Sequence, residues 1–194
     1  MDQSDLASDK KKAKKRGFPI VFLDESGFSL RVISGKTWAP VGNPPVLREY
    51  YSRANQSGIG FLTASPELRR LAFRFSIVSG AINTEDMIFF LTQLHQYYNK
   101  RVIVIMDRLS AHRAAANWFI QTHSDWFCFE YLPAYSPELN PVEQCWQWMK
   151  NVDLANRVAR NDKELFNNVM NAAYRLDAKK TILRSFFKHA NLQC

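Results

Sequence analysis

Two short runs constrain this chain more than any other feature. Pro19-Ile20-Val21-Phe22-Leu23-Asp24 and Val102-Ile103-Val104-Ile105-Met106-Asp107 are each continuously apolar, and each ends in an aspartate. A strand with one face in water alternates polar and apolar residues, whereas a strand buried on both faces does not. Both runs therefore read as buried strands with an acid at the carboxyl end. In open α/β sheets, ligands bind outside such strand ends. An aspartate there can also simply start a turn, but the repetition of the pattern points to a shared site.

The rest of the chain supplies the layers. Residues 57–64 read as a second strand. The alternation of Leu71, Phe73, Phe75 and Ile77 against Ala72, Arg74 and Ser76, with a turn at Ser65-Pro66-Glu67, makes an antiparallel hairpin. Thr84 is the expected N-cap of a helix with acidic Glu85 and Asp86 in its first turn and a stripe of Met87, Phe90, Leu91, Leu94 and Tyr98. A helix at about 111–123, a strand at 126–132 and helices at 141–151, 162–176 and 179–190 follow. This order describes a mixed five-stranded sheet with flanking helices, an α/β chain of the ribonuclease H-like fold. The polar, Gly- and Pro-rich stretch between the first two strands, about 27–55, is too long for a turn and reads as a functional flap.

Several function classes drop out on composition. No apolar run approaches the roughly 20 residues of a membrane helix, and residues 1–16 are polar and basic with no hydrophobic segment after them, so a soluble, cytoplasmic protein is expected. Cys128, Cys145 and Cys194 show no paired or zinc-type spacing and read as reduced thiols. The net charge is +8; the arm 1–16 carries +3 of it, so the folded part is itself basic. A basic domain is attracted to phosphate backbones, though charge alone identifies no partner. The arm reads as disordered, with an electrostatic tether to DNA as its functional alternative.

A third acid stands in Tyr135-Ser136-Pro137-Glu138-Leu139-Asn140-Pro141-Val142-Glu143. Asn140 suits an N-cap and Pro141 the first helical position, which puts Glu143 at the third. Glu143 can reach back to the Asn140 backbone in a variant capping box, or face the space beyond the two strand ends. Along this helix Val142, Cys145, Trp146 and Met149 share one face, and Glu143, Gln147 and Lys150 another. Trp38, Trp146 and Trp148 read as packing residues.

The segments FLDESGF (22–28), TWAPVGNPPVL (37–47), VIVIMDRLSAHRA (102–114) and LPAYSPELNPVEQCWQWMK (132–150) together resemble the DDE endonuclease domain of bacterial insertion-sequence transposases of the mariner superfamily. The resemblance implies a catalytic domain over 17–155 with the flap inserted, and a C-terminal helical extension over 156–194. Its catalytic and metal-binding acids fall on Asp24, Asp107 and Glu143, with 35 residues between the last two. Glu25 and Glu138 match no catalytic position. Arg108 and Leu109 stand where many relatives have Asn and Ala. Two Mg2+ or Mn2+ ions are implied, Asp24 bridging them and Asp107 and Glu143 each anchoring one, because hard cations take carboxylate and water oxygens.

By the same likeness the implied activity is DNA strand cleavage and strand transfer at transposon ends by a homodimer on double-stranded DNA, located with a bacterial nucleoid. His112 and Arg113 match a His-Arg pair of the family and, with Arg48, Arg53 and Lys150, are candidate DNA contacts. His112 and Arg113 can equally begin a helix. Full-length relatives carry helix-turn-helix modules ahead of the first aspartate, and here only the short arm precedes it. Sequence recognition would then fall to a separate helix-turn-helix polypeptide. The alternatives are a non-autonomous remnant that only binds DNA or dimerises, and a ribonuclease H-type enzyme acting on hybrid duplexes.

Overall fold

The computed structural model of the chain describes residues 17–49, 55–65, 70–133 and 136–190. In order, the elements are β1 (Ile20–Ser29), β2 (Asn55–Ala64), β3 (Leu71–Ser79), α1 (Thr84–Tyr98), β4 (Val102–Met106), α2 (Ser110–Thr122), β5 (Phe127–Tyr131), α3 (Pro141–Trp148), α4 (Asp162–Ala178) and α5 (Lys180–His189). The strands form one mixed sheet in the order β3-β2-β1-β4-β5. β2 runs antiparallel to both β1 and β3, while β4 runs parallel to β1 and β5 parallel to β4. This is the expected ribonuclease H-like arrangement.

Side-chain parity explains why the apolar runs are continuous. Along β1, Ile20 and Phe22 enter a core shared with α3, α4 and α5, while Val21 and Leu23 enter a second core with α1 and α2. Along β4, Ile103 and Ile105 join the first core, and Val102, Val104 and Met106 the second. Each run is thus two interleaved faces, and each fully buried side chain of this size contributes about 1.5–3 kcal/mol. Residues Leu165, Val169, Leu176, Leu183 and Phe187 of α4 and α5 pack into the same core as Ile20 and Phe22.

Four expectations change. β1 does not stop at Asp24 but continues to Ser29, because β2 pairs with it along ten residues, from Ile20 opposite Ala64 to Ser29 opposite Asn55. The pairing of β1 with β4 ends earlier, at Phe22 and Ile105. The irregular flap accordingly begins at Leu30, and Trp38 within it is fully exposed rather than packed. The last turn of α3 widens into an i→i+5 turn over Met149–Asp153, with the Leu154 N–H donating to the Met149 carbonyl at 2.8 Å. Such turns break the regular ladder and are frequent near functional sites.

The fourth concerns α1, whose cap is Asn83 and not Thr84. The Asn83 carboxamide oxygen accepts from the Glu85 and Asp86 N–H groups at 2.8 and 3.0 Å, and Asp86 returns a bond from the Asn83 N–H at 3.0 Å. This reciprocal box satisfies donors that a helix start leaves free. Asn83→Ala is expected to lower stability by about 1 kcal/mol, seen as a melting temperature about 2–4 °C lower.

Among the described residues no helix is long and apolar enough to cross a membrane.

Candidate active site

The site lies where β1 and β4 part company. Asp24 has the parity of Ile20 and Phe22, and Asp107 that of Ile103 and Ile105, so both belong to the face that α3 covers. Beyond Phe22 and Ile105 the two strands no longer pair. A cleft of about 480 Å3 opens there, lined by Asp24, Asp107 and Glu143 with Arg108, Leu132, Pro133 and Asn140. β1 and β4 are also the point where the sheet order reverses, the usual crevice for a ligand in an α/β sheet.

Asp24 is not a turn residue: it lies within β1, is 8% exposed, and pairs across the ladder with Gly60. Its Oδ2 accepts from the indole N–H of Trp146 at 3.2 Å. Trp146 comes from α3 and lies over Gly60 so closely that a Cβ there would stand 2.6 Å from two of its ring carbons. Glycine at this position is therefore what lets the indole reach the acid. Burial, and then the Glu143 carboxylate, push the Asp24 carboxyl up to about 7; Asp107 adds to the repulsion, and a backbone hydrogen bond at Glu25 opposes it. A buried acid repelled by two others favours a cation at this place.

Asp107 follows β4 and is fixed from the opposite side of the sheet. Its Oδ1 accepts from the Leu109 N–H at 3.0 Å and from Nδ1 of His112 at 2.5 Å. The other ring nitrogen of His112, Nε2, meets Glu25 Oε1 at 3.1 Å. A carboxylate at each ring nitrogen calls for two N–H donors, which only the imidazolium has. Burial opposes that charge, but hydrogen bonds to Asp107 and Glu25 raise the His112 pKa to about 9. Burial likewise opposes ionisation of Asp107, yet the bonds from His112 and Leu109 hold it below the ordinary carboxylate range.

Glu143 occupies the first turn of α3, half-buried, as the Asn140-Pro141 start requires. Asn140 caps the helix through its carboxamide, which accepts from the Val142 N–H at 3.2 Å. The return half of a capping box is taken by the backbone, since the Asn140 N–H donates to the Pro137 carbonyl at 3.0 Å. The Glu143 carboxylate is instead part of the cleft lining.

The residues expected to meet DNA are placed differently from one another. His112 is fully buried with both ring nitrogens engaged, so the expected phosphate contact is replaced by its grip on two carboxylates. Arg113 is exposed on α2 and Arg48 exposed on the flap. Lys150 donates to Ser26 Oγ at 2.7 Å and lies 5.4 Å from the centre of the Phe28 ring. Arg53 lies outside the described residues. Three contributors escaped sequence reasoning: Trp146 and Gly60, which hold Asp24, and Glu25, which holds His112. The three-residue spacing of Glu143 and Trp146 on one helix was the available signal for the first.

As donors the three acids are all oxygen, which suits a hard divalent cation. Among the described residues no three His, Cys, Asp or Glu side chains converge tightly enough to share one ion. Mg2+-type sites commonly use one or two carboxylates per ion and complete the shell with water and phosphate oxygens, so the donor set fits such ions.

The profile of the DDE superfamily endonucleases matches residues 19–166. No curated protein sequence matches the chain. Among solved structures it is similar to the Mos1 mariner paired-end complex with Mn, at 18% identity and a TM-score of 0.61, covering 96% of this chain and 57% of that one. It is also similar to the Mos1 strand transfer complex, at 17% identity and a TM-score of 0.59, covering 96% and 56%. The pre-cleavage Mos1 transpososome gives 17% identity and a TM-score of 0.60, covering 96% and 57%. The chain thus spans somewhat over half the length of these relatives, and the likeness to them is one of fold.

Proposed function

This chain belongs to the DDE superfamily of endonucleases, and we propose that it is the catalytic core of a transposase, cutting DNA strands and transferring them at transposon ends. One observation carries the reading: carboxylates from three separate elements, Asp24 on β1, Asp107 after β4 and Glu143 on α3, line a single cleft. Family membership supports the chemistry, and the paired-end and strand-transfer complexes named for Mos1 are in keeping with transposon ends as substrate; double-stranded DNA and a homodimer on it belong to the same proposal.

In this reading Asp24, Asp107 and Glu143 hold divalent ions, Mg2+ or Mn2+. When bound, such ions activate an attacking water or 3′-hydroxyl and stabilise the leaving oxygen. The chain's own residues do the rest. Trp146 holds one oxygen of Asp24, and His112 with the Leu109 N–H holds one oxygen of Asp107, so each acid offers its other oxygen in a defined direction. Rigid strands and a packed helix keep the three elements in register, which is the preorganisation that such a site needs. Arg108 at the cleft and exposed Arg113 and Arg48 supply positive charge for the DNA backbone.

The test is a strand-nicking assay on duplex DNA with Mg2+ or Mn2+, comparing the wild type with Asp107→Asn. The substitution keeps the shape and removes a charged donor, and nicking is expected to fall by about a thousandfold. Equal activity in the two proteins would sink the assignment, and absence of activity from both, with DNA binding retained, would favour the non-catalytic remnant.

A further inference from the structure

We propose that Glu25 and His112 form a positioning pair that sets the aim of Asp107 from the far side of the sheet. The inference rests on the assignment of Asp107 as a metal-holding acid. Neither residue faces the cleft that the three acids line. Glu25 follows Asp24 on β1, so strand parity turns it to the opposite face, where α2 packs. There it meets His112, whose side chain is entirely buried, and His112 in turn binds Asp107.

The linkage has a mechanical reason. β1 and β4 stop pairing at Phe22 and Ile105, so the backbone ladder no longer fixes the separation of Asp24 from Asp107. The Glu25–His112–Asp107 chain bridges the same two elements just past that point, through side chains in place of the ladder. Glu25 follows Asp24 directly, so the bridge ties the Asp107 carboxylate to the backbone that carries Asp24. A histidine held at both nitrogens cannot rotate, and the Asp107 oxygen it grips is fixed with it. Groups that orient a metal-holding side chain in this way are commonly worth about 10–100-fold in metal affinity or activity.

Mn2+ binding to the metal-free protein, followed by electron paramagnetic resonance, tests this without relying on turnover. Glu25→Ala removes the grip, while Glu25→Gln removes the same charge but keeps an oxygen that can accept from Nε2. Glu25→Ala is expected to weaken Mn2+ binding about tenfold. Glu25→Gln is expected to stay within about threefold of the wild type, since one neutral acceptor replaces a charged one. In the nicking assay Glu25→Ala should lower kcat and leave KM for DNA unchanged. The Glu25 side chain is 22% exposed, so its truncation should leave the protein folded, which a melting curve verifies.

Wild-type Mn2+ affinity in Glu25→Ala would overturn the proposal. An equal loss in both variants would do so too, because the effect would then be one of charge and not of aim. Asp107→Asn separates the two levels: if it loses Mn2+ while Glu25→Ala does not, the site stands and the positioning pair falls. If Asp107→Asn binds as the wild type does, the site and the pair fall together.

Discussion

Asp24→Asn is expected to abolish strand cleavage and, in the absence of metal, to make the protein more stable. Asp24 is 8% exposed and its neighbours in the cleft include two further carboxylates. Its folded-state pKa of about 7 stands above the ordinary 3.8, chiefly through burial and then through Glu143. A carboxyl raised in this way binds more protons folded than unfolded. Its contribution to stability is therefore complete below about pH 4 and is lost as pH rises through 7. The gap between 3.8 and about 7 corresponds to about 4 kcal/mol at pH 8, as an order of magnitude.

Asparagine carries no charge and keeps an oxygen for the Trp146 indole, so the metal-free variant should recover a large part of that energy. Its melting temperature at pH 8 should exceed that of the wild type, with the difference vanishing near pH 4. Added Mg2+ or Mn2+ should offset most of the difference, because an ion that binds only the folded wild type stabilises it by about 2.7 kcal/mol at a hundred times its Kd and about 4.1 kcal/mol at a thousand times. A variant no more stable than the wild type at pH 8, or one stabilised equally by the ion, would contradict the picture of a buried, mutually repelling set of acids.

The second large effect is expected at Trp146. The indole is 2% exposed and meets Phe28, Phe73 and Phe75 edge-on, with centroids 6.0, 5.5 and 6.5 Å away. Trp146→Ala should cost about 3–5 kcal/mol through lost contacts and the cavity left behind. It also removes the N–H donor from Asp24 Oδ2. Gly60→Ala should reach the same place from below, since its Cβ would stand 2.6 Å from the ring; a cost of about 1–3 kcal/mol is expected. The two substitutions should not add. With the ring gone, Gly60→Ala loses its main clash, so the double variant should be little worse than Trp146→Ala alone. Full additivity in chemical denaturation would mean that Gly60 is not there to admit the indole.

Much of the framework is legible in the residues alone. Two apolar runs ending in aspartate announce strands buried on both faces, because only a strand so covered dispenses with polar alternation. Asn140-Pro141 announced the start of the helix that carries Glu143, because the capping chemistry is local. The cap of the first helix lies one residue before the expected Thr84, since Asn83 and Thr84 are both able to cap and the choice is made by backbone geometry. The end of β1 is not legible locally, because an acid interrupts an apolar run without interrupting the ladder; β2 decides how far the strand extends.

Asp24, Asp107 and Glu143, the acids themselves and their parity, belong to the sequence. A strand period of two, and a helix start marked by its own residues, are set within a few positions of the chain. How the acids are held belongs to the tertiary structure. Trp146 reaches Asp24 across 122 positions, and His112 reaches Glu25 across 87. No local pattern encodes such pairs, because they exist only after the sheet has brought β1 between α2 and α3 and removed the water that would otherwise satisfy each group.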